Sequence, residues 1–324
     1  MLETLSRRGL LHGGAALALT AVPLASCGRN TAARADTVRI GYQKDGVLVI
    51  AKQQKRLEQH LAASGIGKVE WAEFPSGPPL LEALAAGGID FGATGDTPPI
   101  FAQASGTDLV YVAAVPVRGR SSAILLPPSS KISRIADLKG GRVAFTRGSS
   151  AHYFAVSALH SAGLTLSDVT PIYLAPSDAR AAFVRGSLDA WFIWDPYYAD
   201  AERNAGARVL SNAEPFVHSA SFFLASRAFA ERNPGVVRAI LDELCTVGQW
   251  IAANRAAASE LVSKINGLDL AIVSAAFARA DFGIVPLDAG IIARQQDVAD
   301  DFARLGIIPH PVKVADAVAH LDWK

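Results

Sequence analysis

Cysteine is scarce in this 324-residue sequence, which contains only Cys27 and Cys245. Two cysteines cannot form a disulfide framework or a cysteine-rich zinc site, so we predict a fold that is stabilised by neither. Cys245 falls in the apolar phase of a helical pattern that includes Leu241 and Leu244. We therefore interpret it as a small buried hydrophobic residue rather than a nucleophile.

An excess of charge of one sign is also absent, since 31 Lys and Arg stand against 30 Asp and Glu. A formal net charge of +1 without a basic run gives no electrostatic basis for binding nucleic acid. After the N-terminal region, no apolar run reaches the roughly 20 residues that a membrane-spanning helix needs. We expect no nucleic-acid partner and no transmembrane helix in the mature chain.

The common catalytic motifs are missing as well. The sequence has no GxSxG, no nucleophile with an adjacent base motif, no paired-histidine metal spacing and no phosphate loop with a lysine. We therefore predict a protein that is not an enzyme and that needs neither a metal nor a cofactor.

What the sequence does contain is ample apolar material, 50% of all residues, in a chain too long for most single-core domains. Segments with strand alternation are followed by segments with helical spacing, which predicts an α/β fold with mostly parallel sheets. Residues 87–91 and 186–190 both join a helix to a strand through glycine, and each strand ends at an aspartate, Asp96 or Asp195. This weak repeat predicts two lobes with the same arrangement of helices and strands. We assign residues 36–120 plus 215–324 to one lobe and residues 121–214 to the other.

Residues 1–35 have the features of an export signal and a tether. Arg7 and Arg8 precede a short apolar stretch over residues 13–25, and the pattern around the arginines is similar to a twin-arginine signal. The general secretion route stays open. Leu24–Cys27 matches a bacterial lipobox, which predicts lipidation of Cys27; the alternative is conventional cleavage after Ala35.

Ligands of open α/β sheets bind beyond the carboxyl ends of the strands, beside the starts of helices. Polar, small and aromatic side chains at those positions are therefore candidates for ligand contact. The candidate ligand-binding residues are Gln43, Thr94, Gly95, Asp96, Gly148, Ser149, Ser150, His152, Trp191 and Trp194.

The segment Gly148–Ser150 carries the most specific signal. A glycine allows close approach of the backbone, two serines supply hydroxyls, and a helix start supplies unpaired N–H groups at the positive end of its dipole. This combination suits an oxyanion, although an ordinary helix cap followed by a solvated loop would have the same sequence. Thr94–Asp96 has a similar combination of polar residues and glycine before a helix in the other half of the chain. There we expect the Asp96 carboxylate to accept backbone N–H groups as a helix cap.

The aromatic candidates and the histidine have plausible structural roles too. Trp191 and Trp194 are three residues apart in one strand and point to opposite faces, so at most one lines a cleft and the other packs in a core. His152 is one turn into its helix, where packing and ligand contact are both possible.

Several segments together resemble the periplasmic aliphatic sulfonate-binding proteins of ABC importers. They are Arg39–Lys44, Val69–Pro78, Ile89–Gln103, Ala136–Gly140, Val143–Phe145, Gly148–His152, Ser177–Phe183 and Asp189–Tyr198. The resemblance implies a two-lobed periplasmic-binding-protein fold of type II, the Venus flytrap, with two hinge-crossing segments. It also implies a cleft site that includes Gln43, Thr94–Asp96, Gly148–Ser150, His152, and Trp191 or Trp194.

The same resemblance implies a monomeric protein outside the cytoplasm that binds a small organosulfonate and delivers it to the permease subunits of an importer. Anchoring to the membrane through Cys27 is compatible with this role. Taurine, a sulfate ester, nitrate and a thiamine-precursor pyrimidine are alternative ligands on the same fold. An enzyme related to desulfinases or to pyrimidine-biosynthesis enzymes is a further alternative, but desulfinase-like members depend on a cleft cysteine, which neither cysteine here provides.

Overall fold

Two five-stranded sheets form the framework of the computed structural model, which describes residues 36–117, 119–218, 220–319 and 321–323. The predicted export signal and the lipidation site Cys27 lie outside these residues. Among the helices that are described, none is long and apolar enough to cross a membrane.

The first sheet has the strand order β2-β1-β3-β10-β4. Strands β1, β2 and β3 are parallel, whereas β10 runs antiparallel to both of its neighbours. The strand bounds are β1 Thr37–Tyr42, β2 Lys68–Glu73, β3 Phe91–Thr94, β4 Leu109–Pro116 and β10 Ala220–Ser226.

The second sheet repeats this arrangement with the order β7-β6-β8-β5-β9. Strands β6, β7 and β8 are parallel, and β5 is the antiparallel strand between β8 and β9. The bounds are β5 Ser122–Leu126, β6 Arg142–Phe145, β7 Thr170–Tyr173, β8 Ala190–Trp194 and β9 Arg208–Asn212.

Helices cover both faces of each sheet, which is why most strands are buried on both sides. We call the first sheet with its helices the first lobe and the second sheet with its helices the second lobe. The helices of the first lobe are α1 Val47–Gln54, α2 Arg56–Ala62, α3 Gly77–Ala85, α4 Thr97–Ala104, α8 Arg227–Arg232, α9 Pro234–Ala253, α10 Arg255–Asn266, α11 Leu270–Arg279 and α12 Ala289–Arg304. Those of the second lobe are α5 Ser150–Ser161, α6 Pro176–Val184 and α7 Tyr197–Asn204.

The two-lobed α/β fold predicted from the sequence is confirmed. The chain passes from β4 to β5 and returns from β9 to β10, so two segments connect the lobes. They approach closely at Gly119, whose φ is +73° and where a Cβ atom would lie 2.7 Å from the Glu214 nitrogen. Glycine is therefore required at this position for both conformation and space. The exact lobe boundaries, 120/121 and 214/215, stay predictions.

One helix differs from the sequence-based expectation. Periodicity predicts a single helix from Val47 to Leu61, but the structure divides this segment into α1 and α2 at Lys55. Lys55 adopts a left-handed conformation with φ +53°, which interrupts the helix. The change of direction lets Leu57 and Leu61 bury fully in the core that also includes α9.

The weak sequence repeat corresponds to a repeated ion pair. Arg39 of β1 donates from its Nε and Nη2 atoms to Asp90, at 3.0 and 2.7 Å, and Arg142 of β6 donates in the same way to Asp189, at 3.1 and 3.2 Å. In both lobes the carboxylate also accepts the backbone N–H of the arginine. Asp90, just before β3, thus binds the parallel strand β1, and Asp189, just before β8, binds the parallel strand β6.

We expect the two copies of this ion pair to contribute differently to the free energy of unfolding. The Asp90 side chain is 12% exposed and the Asp189 side chain 39%. Asp90→Ala should lower the free energy of unfolding by about 1–3 kcal/mol, because it leaves a partly buried arginine and an N–H group without their acceptor. Asp189→Ala should have a smaller effect, since water replaces the lost contacts. Chemical denaturation of both variants tests this order, and equal or reversed losses would contradict it.

Candidate functional site

A cavity of about 240 Å³ lies between the lobes and is lined by both. This volume is slightly below the common range for small-molecule sites, about 300–1,000 Å³, and therefore suits a ligand of few atoms. Seven of the ten candidate residues line the cavity: Gln43, Thr94, Gly95, Asp96, Ser149, Ser150 and Trp194. The remaining three, Gly148, His152 and Trp191, are buried behind its wall.

The start of α5 supplies free hydrogen-bond donors, but not all those that the sequence suggests. The Gly148 N–H donates to His152 Nδ1 at 3.2 Å, and the Ser149 N–H donates to the Thr146 carbonyl at 3.2 Å. The amides of Ser150 and Ala151 have no hydrogen-bond partner among the described residues. These two N–H groups, at the first two positions of the helix, are therefore available to an anion.

The two serines have different roles. Ser149 occupies the cap position of α5, but its hydroxyl donates to the Thr146 carbonyl at 2.7 Å rather than capping the helix. Ser150 reaches toward the first lobe, because a Cβ atom on Gly95 would lie 1.9 Å from the Ser150 hydroxyl oxygen. Glycine at position 95 is therefore needed for this close approach of the lobes.

The start of α4 in the first lobe does not match the donor role expected from the sequence. The Asp96 carboxylate accepts the Thr97 N–H at 2.7 Å and the Thr97 hydroxyl at 2.9 Å, which agrees with its expected function as a cap. Pro98 and Pro99 follow and have no N–H groups. Residues Thr97–Pro99 at the start of α4 thus offer an anion no uncommitted amide.

His152 supports the site from behind. Its ring is 1% exposed, stacks on Phe145 with centroids 5.0 Å apart, and accepts the Gly148 N–H through Nδ1. Burial, together with the nearby positive charge of Arg147, lowers the pKa of His152 to about 4. The imidazole is therefore neutral near pH 7, and it fixes the loop that precedes α5.

The structure distinguishes the two tryptophans. Trp194, at the end of β8, lines the cavity, whereas Trp191 is 1% exposed and packs against Phe183 at a ring distance of 5.7 Å. The sequence-based expectation that one of them is a core residue is confirmed. Trp194 offers an aromatic surface at the ligand cavity.

The lobes also contact each other beside the cavity. Arg279, the last residue of α11 in the first lobe, pairs with Glu202 of α7 at 2.6 Å and approaches the Asp195 carboxylate at 3.7 Å. Its guanidinium lies 3.6 Å from the ring centroid of Tyr198. Burial raises the pKa of Asp195 to about 7, although Arg279 acts in the opposite direction. A cation from one lobe is thus held by three groups of the other.

Sequence reasoning missed a large part of the cavity wall. Lys44 and Asn266 line it, and the Asn266 amide donates to the Lys44 carbonyl at 2.7 Å. An apolar face of α11 lines it too. The asparagine has no distinguishing motif, and the apolar spacing of α11 is the same as that of any helix packed on a core, so neither gave a recognisable signal.

A cavity between two lobes of the same sheet topology is typical of a two-lobed substrate-binding protein. The sequence profile of the NMT1-like family matches residues 32–266. An Escherichia coli (strain K12) protein named for binding aliphatic sulfonates is 41% identical over 285 residues, which is 87% of this chain and 88% of that protein.

Two solved structures have the same fold with comparable identity. The alkanesulfonate-binding protein SsuA from Xanthomonas axonopodis pv. citri, bound to MOPS, is 42% identical with a TM-score of 0.85, covering 89% of this chain and 99% of that one. The periplasmic aliphatic sulphonate binding protein SsuA from Escherichia coli is 40% identical with a TM-score of 0.80, covering 89% and 94%. The chain belongs to the NMT1-like family, and within it to the aliphatic sulfonate-binding proteins.

The role of His152 predicts a specific pH dependence of stability. In the unfolded chain its pKa is about 6.5, so between pH 6.5 and about 4 the unfolded state binds more protons and the folded state loses stability as the pH falls. His152→Phe should remove this contribution. It should also cost about 1–3 kcal/mol at pH 7, because the buried Gly148 N–H loses its acceptor.

Denaturation midpoints measured from pH 4 to 8 test this prediction. His160, which is exposed on the same helix, provides the matched control, and His160→Phe should keep the wild-type profile. A His152→Phe profile with the wild-type slope between pH 4 and 6.5 would contradict the assignment.

Proposed function

We propose that this protein is the extracytoplasmic substrate-binding component of an ABC importer for aliphatic sulfonates, and that it holds the sulfonate group at the start of α5. The observation that carries the proposal is the pair of uncommitted amides, Ser150 and Ala151, beside the interlobe cavity. In this proposal the Ser150 hydroxyl adds a third donor.

The chemistry of a sulfonate fits such a site. A sulfonate stays ionised at physiological pH and can only accept hydrogen bonds, so fixed N–H and O–H donors bind it without a neighbouring proton acceptor. Donors that are already oriented need no reorganisation when the ligand enters. Asp96 also lines the cavity, but its carboxylate is engaged by Thr97, which limits its repulsion of an anion. MOPS, the molecule bound to the Xanthomonas relative, is itself a sulfonate.

A binding function is favoured over catalysis on a specific observation. An enzyme of the desulfinase type would need a cysteine in the cleft, but Cys245 is 7% exposed and its sulfur lies 3.9 Å from the Ile284 carbonyl in the core of the first lobe. The prediction that Cys245 is a buried small residue is confirmed. We therefore propose a protein without enzymatic activity that presents its ligand to permease subunits.

We further propose that the ligand stabilises the closed arrangement of the lobes. The donors belong to the second lobe, whereas Gln43 and Gly95 belong to the first, so a ligand between them contacts both. Arg279 adds an interlobe ion pair that only a closed form makes. Export from the cytoplasm, a lipid anchor at Cys27 and a monomeric state complete the proposal.

A thermal-shift and calorimetric screen tests the ligand class. Methanesulfonate, butanesulfonate, taurine, a sulfate ester and nitrate are compared on the purified mature chain, and a ligand that binds only the folded state must raise its denaturation midpoint. We expect alkanesulfonates to give the largest shifts. Absence of binding by every sulfonate would refute the proposal, and preferential binding of taurine or nitrate would reassign the ligand.

Replacement of Ser150 by proline isolates the contribution of the amide. Ser150 is the first residue of α5, where proline is well tolerated, and Ser149 before it has an extended backbone that suits a residue preceding proline. Ser150→Pro removes both the N–H and the hydroxyl, whereas Ser150→Ala removes the hydroxyl alone. We expect Ser150→Pro to weaken butanesulfonate binding by about ten- to a hundredfold, as for loss of a hydrogen bond to a charged group.

Calorimetry on both variants decides the result. Ser150→Ala should lie between the wild type and Ser150→Pro, and the helix content of all three should agree by circular dichroism. Wild-type affinity in a folded Ser150→Pro variant would show that this amide does not bind the ligand.

The interlobe contact of Arg279 gives a separate prediction. Arg279→Gln should weaken butanesulfonate binding by roughly five- to thirtyfold, about 1–2 kcal/mol, because the closed form loses a partly buried ion pair. Arg227, whose ion pair with Asp108 lies within the first lobe, provides the control. Equal affinities of Arg279→Gln, Arg227→Gln and the wild type would exclude a role of Arg279 in closure.

A further inference from the structure

One face of α11 forms a continuous apolar wall of the interlobe cavity. Val273, Ala276 and Phe277 line the cavity and are spaced at i, i+3 and i+4, which places them on one side of the helix; Ala280, directly after α11, lines the cavity too. Val273, Ala276 and Phe277 are buried, whereas Ala278 on the other side of the same helix is exposed. The cavity is thus bounded here by side chains that offer no hydrogen bonds.

Further apolar residues complete this part of the cavity. They come from the start of α1, from α10 and its following turn, and from the segment after α11: Val47, Leu48, Val262, Leu268 and Phe282. The polar lining residues at the start of α5 and at the end of β3 belong to the same cavity. The cavity therefore has both hydrogen-bond donors and apolar side chains in its wall, and this combination matches an amphiphilic ligand.

We propose that the α11 face is the tail-binding wall of the site and that Ala276 limits the length of the alkyl group that fits. The inference rests on the proposed function, because it assigns the tail of the sulfonate whose head group binds at α5. The occupant is the apolar chain of the ligand, and its burial adds affinity in proportion to the apolar area removed from water.

In this proposal, the size of the side chain at Ala276 determines how much of the cavity is available to the alkyl tail. Val273 and Phe277 belong to the core of the first lobe, where Phe277 packs against Phe282 with ring centroids 5.1 Å apart. Ala276 is 5% exposed, lines the cavity, and is outside that core cluster. A larger side chain at Ala276 therefore extends toward the cavity without replacing a member of that core cluster.

The volume limits the tail to a short chain or one ring. The cavity measures about 240 Å³, and the sulfonate group takes part of this volume. In the wild type, each methylene that is buried should raise affinity about fourfold until the space is filled. Beyond that length, affinity should stop rising.

A homologous series of linear sulfonates, from methanesulfonate to octanesulfonate, tests the proposal by calorimetry. Ala276→Leu should bind methanesulfonate within about twofold of the wild type but should bind hexanesulfonate at least tenfold more weakly. Ala278→Leu makes the same change on the exposed side of α11 and should follow the wild-type series. Retained binding of methanesulfonate demonstrates that the variant is folded.

The outcomes separate the inference from the proposed function. If sulfonates bind but Ala276→Leu weakens every member of the series by the same factor, or weakens none, the α11 wall is not the tail site. The same conclusion follows if affinity in the wild type is independent of chain length. If the wild type binds no sulfonate at all, the proposed function itself fails, and the assignment of α11 fails with it.

Discussion

Two backbone amides at the start of a helix are the constraint on which the proposed site depends. The N–H groups of Ser150 and Ala151 have no hydrogen-bond partner among the residues that the structure describes, and N–H groups at a helix start favour an anion. The neighbouring amides do not share this property, because His152 and the Thr146 carbonyl accept them. The loop is thereby fixed, and the free donors are restricted to the first two positions of the helix.

The rest of the architecture places this helix start beside a cavity that both lobes line. Both sheets have the same order with one antiparallel strand, so the carboxyl ends of their parallel strands carry equivalent turns. Gly95 lets the Ser150 hydroxyl approach the first lobe, and Arg279 joins the lobes beside the cavity. The same helix that provides Arg279 also supplies an apolar part of the cavity wall.

Much of the fold was predictable because it follows from local patterns. Strand patterns identified β1, β2 and β8, glycines marked helix ends, and the repeated Gly-to-Asp spacing indicated two similar lobes, which the Arg39–Asp90 and Arg142–Asp189 pairs now explain. The break at Lys55 was not predictable, because the helical periodicity continues across it and only contact with α9 favours the turn. The equivalence of the α4 and α5 starts was overestimated, since the prolines after Asp96 remove the donors there.

The sequence by itself determined the fold class, the family resemblance and the turns where polar residues would meet, because residue types and spacing encode these locally. Only the tertiary structure decided which donors remain free, that Trp194 rather than Trp191 lines the cavity, and that one face of α11 forms part of its wall. Hydrogen-bond partners and burial depend on residues distant in the chain. The local sequence therefore does not reveal whether a backbone N–H group is hydrogen-bonded, because its acceptor can come from a residue that is distant in the chain.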